Sequence, residues 1–139
     1  MRLPTISRKY YVILAAIIIA AVIISAVMLS LWSVKTINAY FSPTNKVAPG
    51  QSTNLTAEIT NTVGKDVNSY DVIVRAINEN ITIGAFSQPQ GTFGMNELRK
   101  ITVPVSLSAD MLDGTYSIEV DVNLGGVPFS TRVNLEVKK

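Results

Sequence analysis

One apolar run constrains the whole chain: from Tyr10 to Trp32 the sequence reads YYVILAAIIIAAVIISAVMLSLW, with no charge between Lys9 and Lys35. As a helix it would be about 34 Å long, slightly more than a hydrocarbon core of about 30 Å. Burying every face of such a segment in protein would take a much larger domain than the remaining residues can build. The run therefore predicts a membrane tie over residues 10–32, with one small domain on one side of it.

The flanks set the expected orientation. Arg2, Arg8 and Lys9 precede the run without an acidic residue, and only Lys35 follows it before the domain. The positive-inside bias puts residues 1–9 in the cytoplasm and the domain outside, at a cell membrane crossed once. Tyr10 and Tyr11 at one end and Trp32 at the other match aromatic belts at two interfaces. The competing reading is a cleaved secretory signal, with Ile37-Asn38-Ala39 as a loose cleavage site. The run is longer than the usual apolar region of about 7–15 residues, which favours a retained signal anchor. A prepilin-type signal lacks its small cleavage residue and its Glu near Lys9.

The chain has no cysteine and no histidine. Disulfides, Cys/His zinc sites, blue-copper sites, His-ligated haem and His-based triads are thereby excluded. Eight of the 12 Lys/Arg and all 10 Asp/Glu fall from Tyr40 onward, leaving a slightly acidic domain. No basic patch remains for nucleic acid.

Beyond the run, period-two alternation predicts strands with one wet and one buried face. In 53–60 Leu55, Ala57 and Ile59 oppose Asn54, Thr56 and Glu58. In 98–107 Ile101, Val103, Val105 and Leu107 point inward. In 116–124 Tyr116, Ile118, Val120, Val122 and Leu124 do so, and in 129–137 Phe129, Val133, Leu135 and Val137. Residues 70–77, apolar on both faces, read as a central strand, and shorter candidates lie at 36–42 and 81–86. Pro104 suggests that its strand is an edge or bulges there. Gly125-Gly126 reads as a hairpin turn. About seven short strands and no helical pattern predict an all-β Ig-like sandwich over 44–139, after a linker or first edge strand at 33–43 and preceded by one transmembrane helix.

Asp110-Met-Leu-Asp113-Gly114-Thr115-Tyr116 reads as a tyrosine corner, with the Tyr116 hydroxyl returning to upstream backbone after the Asp113-Gly114 turn. Asp110 and Asp113 read as a turn and cap pair, with no metal site expected. Asn54-Leu-Thr56 and Asn80-Ile-Thr82 are possible N-glycosylation sites. The loop 84–97, GAFSQPQGTFGMNE, carries Phe86, Phe93 and Met95 as either a partner contact or a cap on the sandwich. No catalytic constellation and no cofactor site is visible.

The segments APGQSTNLTAEITNTVGKDV and ITVPVSLSADMLDGTYSIEVDVNL resemble the Ig-like domains of archaeal and bacterial envelope proteins, the CARDB-type and S-layer-associated repeats. Pro49, Gly50, Asn61, Gly64, Gly114, Tyr116, Ile118 and Val120 carry the resemblance, which covers about residues 44–137. It implies a domain for adhesion, spacing or assembly without shared catalytic residues. The layout of one anchor and one sandwich is also similar to membrane-anchored stator subunits of the archaeal flagellum. The expectation is a non-catalytic binding or structural module in a cell-envelope or membrane assembly, whose partners are membrane lipid and a protein in or near the membrane or surface layer. A subunit of a surface filament or archaellum-like motor, and an accessory subunit of a membrane enzyme or transporter, are the alternatives.

Overall fold

The computed structural model describes residues 8–31 and 35–139, with helix side chains described over 12–25. The chain divides into two units, Met1–Val34 and Lys35–Lys139. In the first, helix α1 spans Arg8–Leu31, 24 residues. Ala, Leu and Ile dominate it, and it holds no Gly or Pro to interrupt the backbone ladder. Its apolar residues do not form a stripe: Val12, Ile13, Leu14, Ile17, Ile18, Ile19, Val22, Ile23 and Ile24 point in every direction and are 55–67% exposed. Ser25 returns its hydroxyl to the Ala21 carbonyl, so its one polar group is satisfied within the helix. Among the described residues no helix is long and apolar enough to cross a membrane. The stretch with described side chains is itself shorter than the about 20 residues a crossing takes. Trp32 lies outside the described residues, as do the side chains of Tyr10 and Tyr11.

The second unit is a two-sheet sandwich. Its strands are β1 (Ile37–Ser42), β2 (Lys46–Val47), β3 (Ser52–Thr60), β4 (Tyr70–Ala76), β5 (Ile81–Ile83), β6 (Leu98–Leu107), β7 (Gly114–Leu124) and β8 (Val127–Val137). One sheet runs β1-β3-β6-β5 and the other β2-β8-β7-β4. Neighbours are antiparallel, except that β2 runs parallel to β8. This is the constant-type immunoglobulin strand order with the first strand divided between the sheets. The division falls at Pro43, which has no amide hydrogen for a ladder.

Alternation delivers the core. Leu55, Ala57 and Ile59 from β3, Val103 and Val105 from β6, and Ile118 and Val120 from β7 are completely buried between the sheets, with Leu135 from β8. The two-residue turn at Gly125 and Gly126 has φ of 59° and 92°. Those angles suit a type I′ turn, whose twist matches the flanking strands and whose second position disfavours any side chain.

Three sequence expectations are corrected here. The segment 70–77 is not a central strand: β4 is the edge of its sheet, and its second apolar face leaves Ile73 and Ile77 exposed. The strand bearing Pro104 is not an edge: β6 lies between β3 and β5. Proline is accommodated because β5 ends at Ile83. The Pro104 carbonyl still accepts the Gly84 N–H at 2.7 Å, beyond the last β5–β6 pair. A side chain at Gly84 would press on Pro104 Cβ at 3.0 Å, so glycine belongs where the chain turns away. Thr56, expected on a wet face, is 4% exposed. It lies in register between Tyr40 and Thr102, and Tyr40 with Lys100 over its ring roofs that part of the sheet.

Candidate functional site

The strands have two poles. One carries Lys35, where the chain enters the domain, with loops 61–69 and 91–97 and the Gly125-Gly126 turn. The other carries segments 43–51, 77–80 and 108–113 and the C-terminus.

At the entry pole the loop 84–97 is held down by groups far away in sequence. Phe93 is completely buried and pairs with Val67 through two backbone bonds of 2.8 and 3.0 Å. Its ring lies 5.1 Å from that of Tyr70. Asn61, also completely buried, donates its carboxamide to the carbonyls of Lys65, Phe93 and Gly94 at 2.8, 2.9 and 3.1 Å. Its side-chain oxygen accepts the Val63 N–H at 3.1 Å. One amide thus ties two loops together and leaves none of its own polar atoms unpaired, which is the condition for burying it.

Arg99, on β6, completes the clamp. It lies over the Tyr70 and Phe93 rings, 5.3 and 4.9 Å from their centres. Its nitrogens donate to Glu97 at 2.7 Å, to the Gln90 and Thr92 carbonyls at 2.7 and 2.5 Å, and to the Tyr70 hydroxyl. The planar fork suits this fan of acceptors in a way that a lysine could not reproduce. The hydrogen bond from Arg99, then one from the Gly94 N–H, holds the Glu97 carboxyl below its ordinary range. Glu97 and the Tyr70 hydroxyl raise Arg99 in turn. Gln88 does a different job: its amide accepts the Val72 N–H and donates to the Val72 carbonyl, at 3.1 and 2.6 Å. It acts as a one-residue substitute for a strand and covers part of the open edge of β4.

Phe86, Phe93 and Met95 are therefore separated. Phe93 belongs to the core and is withdrawn as a contact residue. Phe86 is half-buried against the core. Met95 is 53% exposed, and Leu98, at the same pole, is 58% exposed. Sequence reasoning missed Leu98 because its strand alternation placed it with the wet residues, and it missed Asn61, Gln88 and Arg99 as loop anchors because no local pattern marks their long-range partners.

At the opposite pole the Tyr116 hydroxyl donates to the Leu112 carbonyl at 2.9 Å, and a side chain at Gly114 would meet the Tyr116 ring at 3.5 Å. Asp113 accepts the Lys139 N–H at 3.0 Å, and Asp110 accepts the Ser108 hydroxyl, which lowers its pKa. Asp110 is thus engaged within its own turn and Asp113 by the C-terminal strand's exit. Among the described residues no group of three or more His, Cys, Asp or Glu side chains is placed to hold a metal ion. Asn54 is exposed in mid-strand, and Asn80 is exposed in the turn before β5.

The outer face of the β2-β8-β7-β4 sheet is laced with charge. Arg75 pairs with Asp121, Arg132 with Glu119 at 3.3 Å, and Lys46 with Glu136 at 3.4 Å. A hydrogen bond from Ser130, then one from Arg75, keeps the Asp121 carboxyl low. An open concavity of about 360 Å³ lies on this face, walled by Asp71, Ile73, Arg75, Asp121 and Ser130 among others. Asp121 there is paired with Arg75, and Asp71 is exposed.

No family model matches the sequence. No curated protein matches it either. Solved structures do. A FixG-related protein from Vibrio parahaemolyticus is similar over 76% of this chain and 100% of its own, at a TM-score of 0.52 and 9% identity. A conjugative transposon lipoprotein from Bacteroides eggerthii is similar over 73% of this chain and 98% of its own, at a TM-score of 0.50 and 14% identity. At such identities the likeness shows the β-sandwich fold alone.

Proposed function

We propose that the chain is a single-pass membrane protein, retained by its N-terminal helix, that holds an Ig-like module outside the cytoplasm. The module works by binding or spacing within a cell-envelope or membrane assembly, and does no chemistry of its own. The observation that carries this reading is the helix with apolar side chains on every side. A helix without a polar face belongs in a protein core or in lipid. Nine large side chains at about 1.5 kcal/mol each come to on the order of 13 kcal/mol of apolar exposure in water. That equals the whole stability of an ordinary domain, about 5–15 kcal/mol. The apolar run of the sequence, residues 10–32, would span about 34 Å as a helix, enough for a bilayer core. The basic N-terminal flank supports the inward orientation of residues 1–9.

The envelope assignment rests on the resemblance to CARDB-type and S-layer-associated domains. The residues that carry it serve architecture: Gly50 and Gly64 adopt φ of 77° and 84°, Asn61 ties the loops and Tyr116 makes its backbone bond. The resemblance thus supports a scaffold and names no partner. Met95 and Leu98, both exposed at the entry pole, are the apolar side chains offered to a protein partner in or near the membrane.

Alkaline extraction of cell membranes tests the anchor. The full chain stays with the lipid pellet while residues 35–139 expressed alone are released; a full chain that is released overturns the proposal. Mild-detergent purification then separates the roles. Co-sedimentation with the surface layer supports the envelope module, fibres support the filament or motor alternative, and a stoichiometric membrane enzyme or transporter supports the accessory alternative.

A further inference from the structure

We propose that Asn80 is an N-linked glycan acceptor and that Asn54, in the chain's other Asn-x-Thr sequence, is not. The inference rests on the outward orientation proposed above, because transfer takes place only on that side of the membrane. The co-reactant is a polyprenyl-phosphate-linked oligosaccharide. The Asn80 carboxamide nitrogen attacks C1 of the first sugar and a C–N bond forms. The C1–O bond to phosphate breaks, the polyprenyl phosphate leaves with the electron pair, and the amide proton passes to a carboxylate of the transferase. No electrons enter or leave.

Both sequences have the right letters, so geometry separates them. A transferase must grip the acceptor segment in extended form and bond the Thr hydroxyl two residues on. Asn80 ends a turn whose backbone closes on itself: its N–H reaches the Asn78 side chain at 2.8 Å, and the Ile81 N–H reaches the Asn78 carbonyl at 3.2 Å. Its own carboxamide is exposed, and no hydrogen bond engages it among the described residues. Thr82 is exposed on β5, a three-residue strand at the edge of its sheet with β6 as its one neighbour. Ile81 is buried, and lifting it opens that short ladder at the pole together with the Ser108 N–H bond to the Asn80 carbonyl at 2.9 Å. Segments with few ladder bonds at an edge are the ones that open locally without global unfolding.

Asn54 is held differently. It lies within the nine-residue β3, paired with Ser42 on one side and Pro104 on the other. Thr56, whose hydroxyl would have to be gripped, is 4% exposed, and Leu55 between them is completely buried. Presenting this segment takes a central strand out of the sandwich. The folded domain therefore offers Asn80 and withholds Asn54.

The test uses the full chain in cells whose N-glycosylation machinery modifies a secreted control protein. Intact mass and peptide mapping after enzymatic glycan release read the sites. One glycan is expected, lost in Asn80→Gln and in Thr82→Ala, and retained in Thr82→Ser and Asn54→Gln. Because Asn80, Thr82 and Asn54 are exposed or at a turn, these variants keep the wild-type circular dichroism. External protease on intact cells reads orientation separately. A chain digested from outside yet free of glycan overturns the acceptor role while leaving the orientation standing. A glycan on Asn54, alone or together with Asn80, overturns the selectivity. A domain digested only after the cells are opened overturns the orientation and the acceptor role with it.

Discussion

Replacing Asn61 tests how the entry pole is held together. Asn61→Ala strips the donor from three carbonyls and the acceptor from the Val63 N–H. A net hydrogen bond is worth about 1 kcal/mol, and a buried group left unpaired costs about 1–3. The Phe93 carbonyl keeps its bond from the Val67 N–H, and the Lys65 and Gly94 bonds are only partly buried, so water relieves some of the loss. The expected destabilisation is about 2–3 kcal/mol. Asn61→Asp is worse at neutral pH although it is nearly the same size. It keeps the acceptor for Val63 but points a buried carboxylate at three carbonyl oxygens, adding at least about 2 kcal/mol. Urea unfolding of the 35–139 domain, followed by circular dichroism, measures both. In thermal scans the alanine variant should melt about 10–20 °C lower, from about 4–8 °C per kcal/mol for a domain of this size. Both variants unfolding within about 0.5 kcal/mol of wild type, the ordinary range for an exposed surface site, would refute the reasoning, as would an aspartate variant no weaker than the alanine one.

Further outcomes follow from the same geometry. Phe93→Ala should cost about 3–5 kcal/mol in urea unfolding as a core truncation, while Met95→Ala should stay within about 0.5 kcal/mol; equal effects would contradict the separation of the two residues. Glu97 titrates lower in the folded domain than its ordinary value of 4.5, so its contribution is complete above that value and disappears as pH falls through the lowered folded value. The protection factor of the Gly94 amide, with the intrinsic pH dependence of exchange divided out, should therefore fall in acid before those of the strand amides do, and a Gly94 protection factor with no such dependence would contradict the Arg99–Glu97–Gly94 arrangement. Tyr116→Phe removes the bond to Leu112 and should cost about 1 kcal/mol, read by the same unfolding curves; no change would mean that the ring alone holds the corner.

The strand residues were legible because burial there repeats every two positions: Ile101, Val103, Val105 and Leu107 point inward and leave a signature that needs no knowledge of their partners. The hairpin was legible from Gly125-Gly126 for the same local reason. What was not legible depends on groups distant in sequence. Phe93 looked available because its loop has no period, yet Asn61, Val67 and Tyr70 pull it into the core. The segment 70–77 looked central because both faces are apolar, and only the assembled sheet shows Gln88 standing in for a strand along its edge. Pro104 signalled a missing ladder bond correctly, but not that a short neighbour, β5, would supply the gap inside a sheet.

The central claim is that the helix is retained in lipid with the sandwich on the outer side, and the absence of native cysteine makes it directly measurable. Thr102→Cys, on the exposed face of β6, and Ser7→Cys, ahead of the apolar run, can each be probed in intact cells with a membrane-impermeant maleimide. The account predicts labelling at position 102 in intact cells, and at position 7 only after the membrane is opened. Labelling at 7 but not at 102, or recovery of the labelled chain in the soluble fraction, would contradict it.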